Sequence, residues 1–194
     1  MVLGLTGGIA TGKSTVAEYF IKKKIPVICA DKISKQIINN KEILDEIAKK
    51  FGNHMINNGE LDRKKMREFV FKDKERVKIL NSITHPPIIN MLQEQIKIYK
   101  EYPLVIVDIP LLFEGKYEFL VEKILLISCE KNIQIERIMK RDSVTFKNAI
   151  NIINNQMLVD EKKKKSDFII ENSETEIELY EKLDTFLKKI EISL

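Results

Sequence analysis

Val2-Leu3-Gly4-Leu5-Thr6-Gly7-Gly8-Ile9-Ala10-Thr11-Gly12-Lys13-Ser14-Thr15 is an apolar run that breaks into glycines and then into a lysine and two hydroxyls. Val2 to Thr6 has the length of a buried strand, and from Lys13 to Lys22 the apolar residues Val16, Ala17, Phe20 and Ile21 recur at helical spacing. The order is strand, glycine loop, helix. In that setting Gly7 to Ser14 fits G-x-x-x-x-G-K-[ST], a loop whose backbone N–H groups turn inward around phosphate oxygens while the helix N-terminus adds positive potential. Gly8, Ile9, Ala10, Thr11, Gly12, Lys13, Ser14 and Thr15 are therefore the expected phosphate-binding residues. Lys13 brings a point charge to the β and γ phosphates of a nucleotide, and the Ser14 hydroxyl is placed for Mg²⁺. A ligand-free glycine turn would require neither. The loop does not say whether the phosphate goes to water, to a protein or to a small molecule.

Outward from this stretch, Ile25 to Ala30 reads as a second strand, with Pro26 near its start where a strand tolerates proline. From Asp31 to Glu101 the spacing is helical almost throughout, with Ile43, Leu44, Ile47 and Phe51 on one face and Val77, Leu80, Ile83 and Thr84 on another. Within that block Asn57-Asn58-Gly59 marks a turn, no strand is expected, and Pro86-Pro87 should end one helix and open the next. Strands resume at Leu104 to Ile109, Lys123 to Ser128 and Asp167 to Glu171, separated by helices over Asn132 to Arg141 and Phe146 to Asn155 and followed by one over Ile177 to Ile190. Strands alternating with helices predict a parallel α/β sheet with a helical lobe inserted between strands.

A chain of 194 residues is enough for about one domain. Apolar residues at 44% and charged ones at 32% exclude a disordered or fibrous chain. The formal charge of +4 is too small and too scattered to predict a nucleic-acid partner. Cys29 and Cys129 show no metal-binding spacing and read as reduced thiols. No apolar stretch approaches the roughly 18 residues needed to span a bilayer, and no signal segment is visible, so a cytoplasmic protein without a membrane partner is expected.

Several further residues are candidates for chemistry. Asp108 ends the strand Val105-Ile106-Val107, where a carboxylate would orient Mg²⁺ directly or through its waters; a turn or cap role before Pro110 is the plainer reading. Asp31 follows the second strand, at the sheet edge where the phosphate loop should lie, and could accept a hydroxyl proton or simply cap a helix starting at Lys32. Arg137 and Arg141 share a helix face suited to charge on transferred phosphate, or else pair with Glu136 or Asp142. His85, pushed toward extended backbone by Pro86, is either a substrate contact or a packed cap, and Lys162 to Lys165 reads as a solvated helix face.

Together, Leu5-Thr6-Gly7-Gly8-Ile9, Ala30-Asp31, Leu80-Asn81 with His85-Pro86, and Asp108-Ile109-Pro110-Leu111-Leu112-Phe113-Glu114 resemble the dephospho-CoA kinase family over nearly the whole chain. Gln134, Arg137, Arg141-Asp142, Gln156, Lys162, Asp167 and Asn172 follow the family's later pattern in order and spacing. The resemblance implies a P-loop NTPase fold, three-layer α/β/α with a five-stranded parallel sheet, an inserted helical substrate lobe and a helical lid. It implies a nucleotide core over 1–30, 103–140 and 166–194, a dephospho-CoA-binding lobe over 31–102 and a lid over 141–165. The implied reaction moves the ATP γ-phosphate to the ribose 3′-hydroxyl of dephospho-CoA, with Mg²⁺ held by Ser14 and Asp108. By the same resemblance Asp31, Lys13, Arg137 and Arg141 are catalytic, Asp31, His85, Asp108 and Leu111 contact substrate, and the protein is a monomer or weak homo-oligomer. A nucleoside monophosphate kinase or a non-catalytic P-loop module are the alternatives. Two positions depart from the family pattern: Cys29 stands where many members carry Asp, and Ile152 where an arginine commonly precedes Gln156 by four residues.

Overall fold

The computed structural model describes residues 1–70 and 72–190. In chain order it runs β1 (Val2–Gly7), α1 (Lys13–Lys22), β2 (Val27–Cys29), α2 (Ala30–Ile38), α3 (Lys41–Phe51), β3 (Ile56–Asn57), β4 (Glu60–Leu61), α4 (Arg63–Val70) and α5 (Lys74–Ile98). It continues with β5 (Val105–Asp108), β6 (Lys123–Ser128), α6 (Lys131–Asp142), α7 (Phe146–Asn154), α8 (Val159–Lys165), β7 (Phe168–Glu171) and α9 (Glu176–Lys189). The chain divides into two compact units, one built from Met1–Cys29 and the chain from Ile96 onward, the other from Ala30–Gln95.

In the first unit β1 is buried after its first residue, as a strand inside a parallel sheet covered on both faces is. It pairs in parallel with β5, setting Leu5 opposite Asp108, and with β6, setting Gly7 opposite Ile127. β2 lies beyond β5 and β7 beyond β6, so the five-stranded order is β2-β5-β1-β6-β7 and the α/β reading of the sequence holds. From β1 the chain crosses to the edge at β2, returns to place β5 between the two, and then builds β6 and β7 outward on the other side. The switch falls beside the carboxyl end of β1, where open parallel sheets form their ligand crevice. One face is closed by Val16, Ala17 and Phe20 of α1 and Leu179, Leu183 and Phe186 of α9, packed on Leu3, Leu5, Ile106, Leu125 and Ile127. A Cβ on Gly4 would sit 2.8 Å from Leu112, so the bare backbone there is what lets the loop after β5 lie flat on the sheet.

The second unit has its own core of Ile47, Phe51, Met55, Met66, Val70 and Ile83. Asn40 caps α3 by accepting from the Glu42 amide at 2.9 Å, and Gly52 ends it at φ 97°. The turn at Asn58 and Gly59 joins β3 to β4 with φ 50° and 79°, as a tight hairpin demands. This hairpin corrects the expectation of a strand-free block: its strands are too short to show alternation, and only the turn was readable.

Pro86 and Pro87 correct a second expectation. α5 runs straight through them, so His85 is helical rather than extended. A proline's fixed φ suits a helix; what it removes is the donor that the carbonyls of Ser82 and Ile83 would receive. Burial of Ile83, Thr84, Ile88 and Leu92 along the same helix offsets that loss. Restoring one donor with Pro86→Ala should raise the unfolding free energy by about 1 kcal/mol, read as a higher urea midpoint. A lowered midpoint would mean that the helix depends on the proline.

Candidate active site

Between Gly7 and Lys13 the backbone makes one tight turn. Thr11 donates to the Gly8 carbonyl through its amide at 3.3 Å and its hydroxyl at 2.9 Å. Ala10 and Gly12 both take left-handed backbone, φ 58° and 89°, which turns successive amides toward one side. α1 then begins with no side-chain cap and no acidic residue in its first turn, leaving its positive end open to an anion. Gly12 is fixed by a neighbour as well as by its φ: a Cβ there would lie 2.1 Å from the side-chain nitrogen of Asn172.

Lys13 at the start of α1 forms an ion pair with Asp108 at the end of β5, both largely shielded from solvent. The pairing follows from topology, because β5 is β1's neighbour and Asp108 is in register with Leu5. The turn-or-cap reading of Asp108 thus gives way to a partner of the phosphate-loop lysine. Ser14 is exposed in the first turn of α1.

Asn172, 6% exposed, follows β7 and ties the site together. Its side chain donates to the Thr11 carbonyl at 2.9 Å, and its own carbonyl accepts from Arg137 at 3.0 Å. Gly12, Thr15, Arg137, Asn172 and Leu179, together with the carboxylates Glu174 and Glu176, line an open cavity of about 270 Å³ beside the loop. Arg141, one turn beyond Arg137 in α6, instead makes a two-pronged pair with Asp142 at 2.7 and 2.8 Å on the surface. The two arginines of one helix face therefore have different partners. Burial pushes the Cys129 thiol up, only partly opposed by Arg137, which keeps it protonated near neutrality.

Leu111 is exposed in the loop after β5. Asp31 and His85 belong to the second unit. Asp31 is exposed and lies inside the first turn of α2, not at a cap, because the helix starts two residues earlier than the sequence suggests. Burial lowers the His85 imidazole below its ordinary value, so it is neutral near pH 7.

The lysine run of α8 corrects another expectation. Lys162 is only 1% exposed and forms an ion pair with Glu114 at 2.7 Å, Lys163 is half-buried, and Lys164 and Lys165 keep the solvated role. The same Glu114 oxygen accepts from the Met157 amide at 3.0 Å, which fastens the α7–α8 link to the loop after β5. Burial raises the Glu114 carboxyl, but the hydrogen bonds from Lys162 and Met157 outweigh it and hold it below its ordinary value. Composition hides such a lysine among four, and only its place in the motif set it apart. Among the described residues no cluster of three or more His, Cys, Asp or Glu is placed to hold a metal, and no helix is long and apolar enough to cross a membrane.

The sequence model for dephospho-CoA kinase matches residues 1–178. A dephospho-CoA kinase of Fusobacterium nucleatum is 41% identical over 191 residues, covering 98% of both chains. Among solved structures, a dephospho-CoA kinase from Campylobacter jejuni superposes with a TM-score of 0.76 at 34% identity, covering 97% of this chain and 96% of that one. A Thermus thermophilus protein superposes with a TM-score of 0.86 at 31% identity, covering 97% of both.

Removing one partner of the Lys162–Glu114 pair strands the other. Lys162→Met should cost about 3 kcal/mol at pH 7, measured by urea unfolding. Because the folded carboxyl is depressed, the pair's contribution is complete above the ordinary value of 4.5 and is lost as pH falls through the folded one. The gap between wild type and variant should therefore close in acid, and a gap independent of pH would show that the pair is not the cause.

Proposed function

The chain belongs to the dephospho-CoA kinase family, and from that premise we propose that it transfers the γ-phosphoryl group of ATP to the ribose 3′-hydroxyl of dephospho-CoA. The products are coenzyme A and ADP. The observation that carries the reading is the uncapped start of α1 under a glycine turn, with Lys13 beside it and Asp108 within its reach. That arrangement suits a nucleotide triphosphate and leaves the acceptor to the rest of the family pattern.

In the proposed mechanism the amides of Ala10 to Ser14 and the Lys13 ammonium bind the β and γ phosphates and offset the charge that spreads over the transferred group. Arg137, already directed to the loop's neighbour Asn172, lies along the nucleotide cavity, and Arg141 would have to leave Asp142 to join it. Asp31, exposed directly after β2, orients the 3′-hydroxyl and takes its proton as the new O3′–P bond forms and the bond to the ADP oxygen breaks. The segment 31–102, with His85, is the proposed dephospho-CoA lobe, Leu111 a further substrate contact, and 141–165 the lid that keeps water from the γ-phosphate.

Ser14 and Asp108 supply a hydroxyl and a carboxylate, the hard oxygen donors that Mg²⁺ takes alongside nucleotide phosphates, so the residues fit that ion. Mg²⁺ there would supply charge neutralisation across the β and γ phosphates. Two free cysteines suit a reducing compartment, and the cytoplasm is the proposed location.

ADP release should depend on added dephospho-CoA and disappear in Lys13→Ala. Asp31→Asn should lower kcat by about 10² to 10⁴ while leaving ATP affinity within twofold. Full activity in Asp31→Asn would remove the base assignment, and equal ADP release without acceptor would remove the kinase reading.

A further inference from the structure

Ile9, at the tip of the phosphate loop, is gripped on both sides of its backbone. Its amide donates to the Gln156 side-chain oxygen at 2.8 Å, and its carbonyl accepts from the Gln134 side-chain nitrogen at 2.7 Å. The two glutamines come from different places, Gln134 from α6 and Gln156 from the link between α7 and α8. Their approach needs the bare backbone of Gly8, where a Cβ would lie 2.9 Å from the Gln134 nitrogen. The Ile9 side chain and Ala10 pack on the cluster of Ile135, Ile138 and Ala149, which also takes in Ile152 and Ile153.

The N–H and C=O of a trans peptide point in opposite directions. Drawing the Ile9 carbonyl outward to Gln134 therefore turns the Ala10 amide inward, and drawing the Ile9 amide outward to Gln156 turns the Gly8 carbonyl inward, where Thr11 meets it. Ala10 needs this support, because φ 58° is uncommon for a residue with a Cβ. The anchor on the far side is firm: the residue after Gln156 donates its amide to Glu114, which Lys162 holds.

We propose that Gln134 and Gln156 are positioning residues that fix the two peptide planes flanking Ile9, so that the Ala10 amide is set toward the nucleotide phosphates before ATP arrives. The pair also makes the loop tip and the α6–α7 helices one body, so that a displacement of the lid base is felt at the loop. The inference rests on the nucleotide reading of the loop, yet it makes a claim about backbone orientation that holds without turnover.

The test uses Gln134→Met and Gln156→Met, which keep length and remove the hydrogen bond. Each should raise the KM for ATP about tenfold while the KM for dephospho-CoA and the melting temperature stay nearly unchanged, and the double variant should lose less than the product of the singles. In the nucleotide-free protein, the Ile9 amide of Gln156→Met should exchange with solvent about tenfold faster by NMR. Unchanged ATP affinity with unchanged Ile9 exchange, or an equal rise in both KM values, would overturn the proposal. If wild type failed to phosphorylate dephospho-CoA, the kinase reading would fall, while ATP titration and amide exchange would still decide this one. Should one variant not fold, the other decides alone.

Discussion

An α-helix that starts without a cap leaves backbone amides unpaired at its positive end, and in this protein the start of α1 is left so, directly after a turn of glycines. The surrounding residues answer to that constraint. β1 must be central, so that the turn opens at the switch point of the sheet, and Gly12 must be bare, because Asn172 presses against it. Asp108 must lie one strand over to pair with Lys13. Each of these is a condition for keeping a polar hollow open in a protein that otherwise closes its apolar surfaces.

The inner strands of the sheet were legible because they are buried on both faces and read as unbroken apolar runs: Lys123 to Ser128 was delimited to the residue, and Val105 to Asp108 to within one at each end. α1 was equally plain, since its apolar spacing and the lysine at its start agree. The two-residue strands β3 and β4 were not, because two residues cannot show a period. Pro86 and Pro87 misled for a related reason: local preference argues for a break, and packing along α5 overrides it. At the candidate site, the loop, Lys13 and Asp108 were visible as residue types in sequence order. The roles of Asn172, Gln134, Gln156 and Lys162 depend on contacts across more than a hundred residues of chain or across separate elements, which spacing alone does not encode.

The two departures from the family pattern find physical settings. Ile152 is half-buried in the apolar cluster that also receives Ile9, so the position has been given to packing where an arginine would bring charge. Cys29 ends β2 in register with Asp108, and a thiol there leaves the Lys13–Asp108 pair as the main charge at that strand end.

In the proposed reaction one turn of backbone amides, assisted by Lys13, hands a phosphoryl group to a sugar hydroxyl. Following a mixture of ATP and dephospho-CoA with a trace of the protein by ³¹P NMR tests it most directly. A new phosphomonoester signal on the acceptor ribose should grow in step with ADP, one for one, and both should vanish with Lys13→Ala. Free phosphate growing in place of that signal, or ATP left intact beside dephospho-CoA, would contradict it.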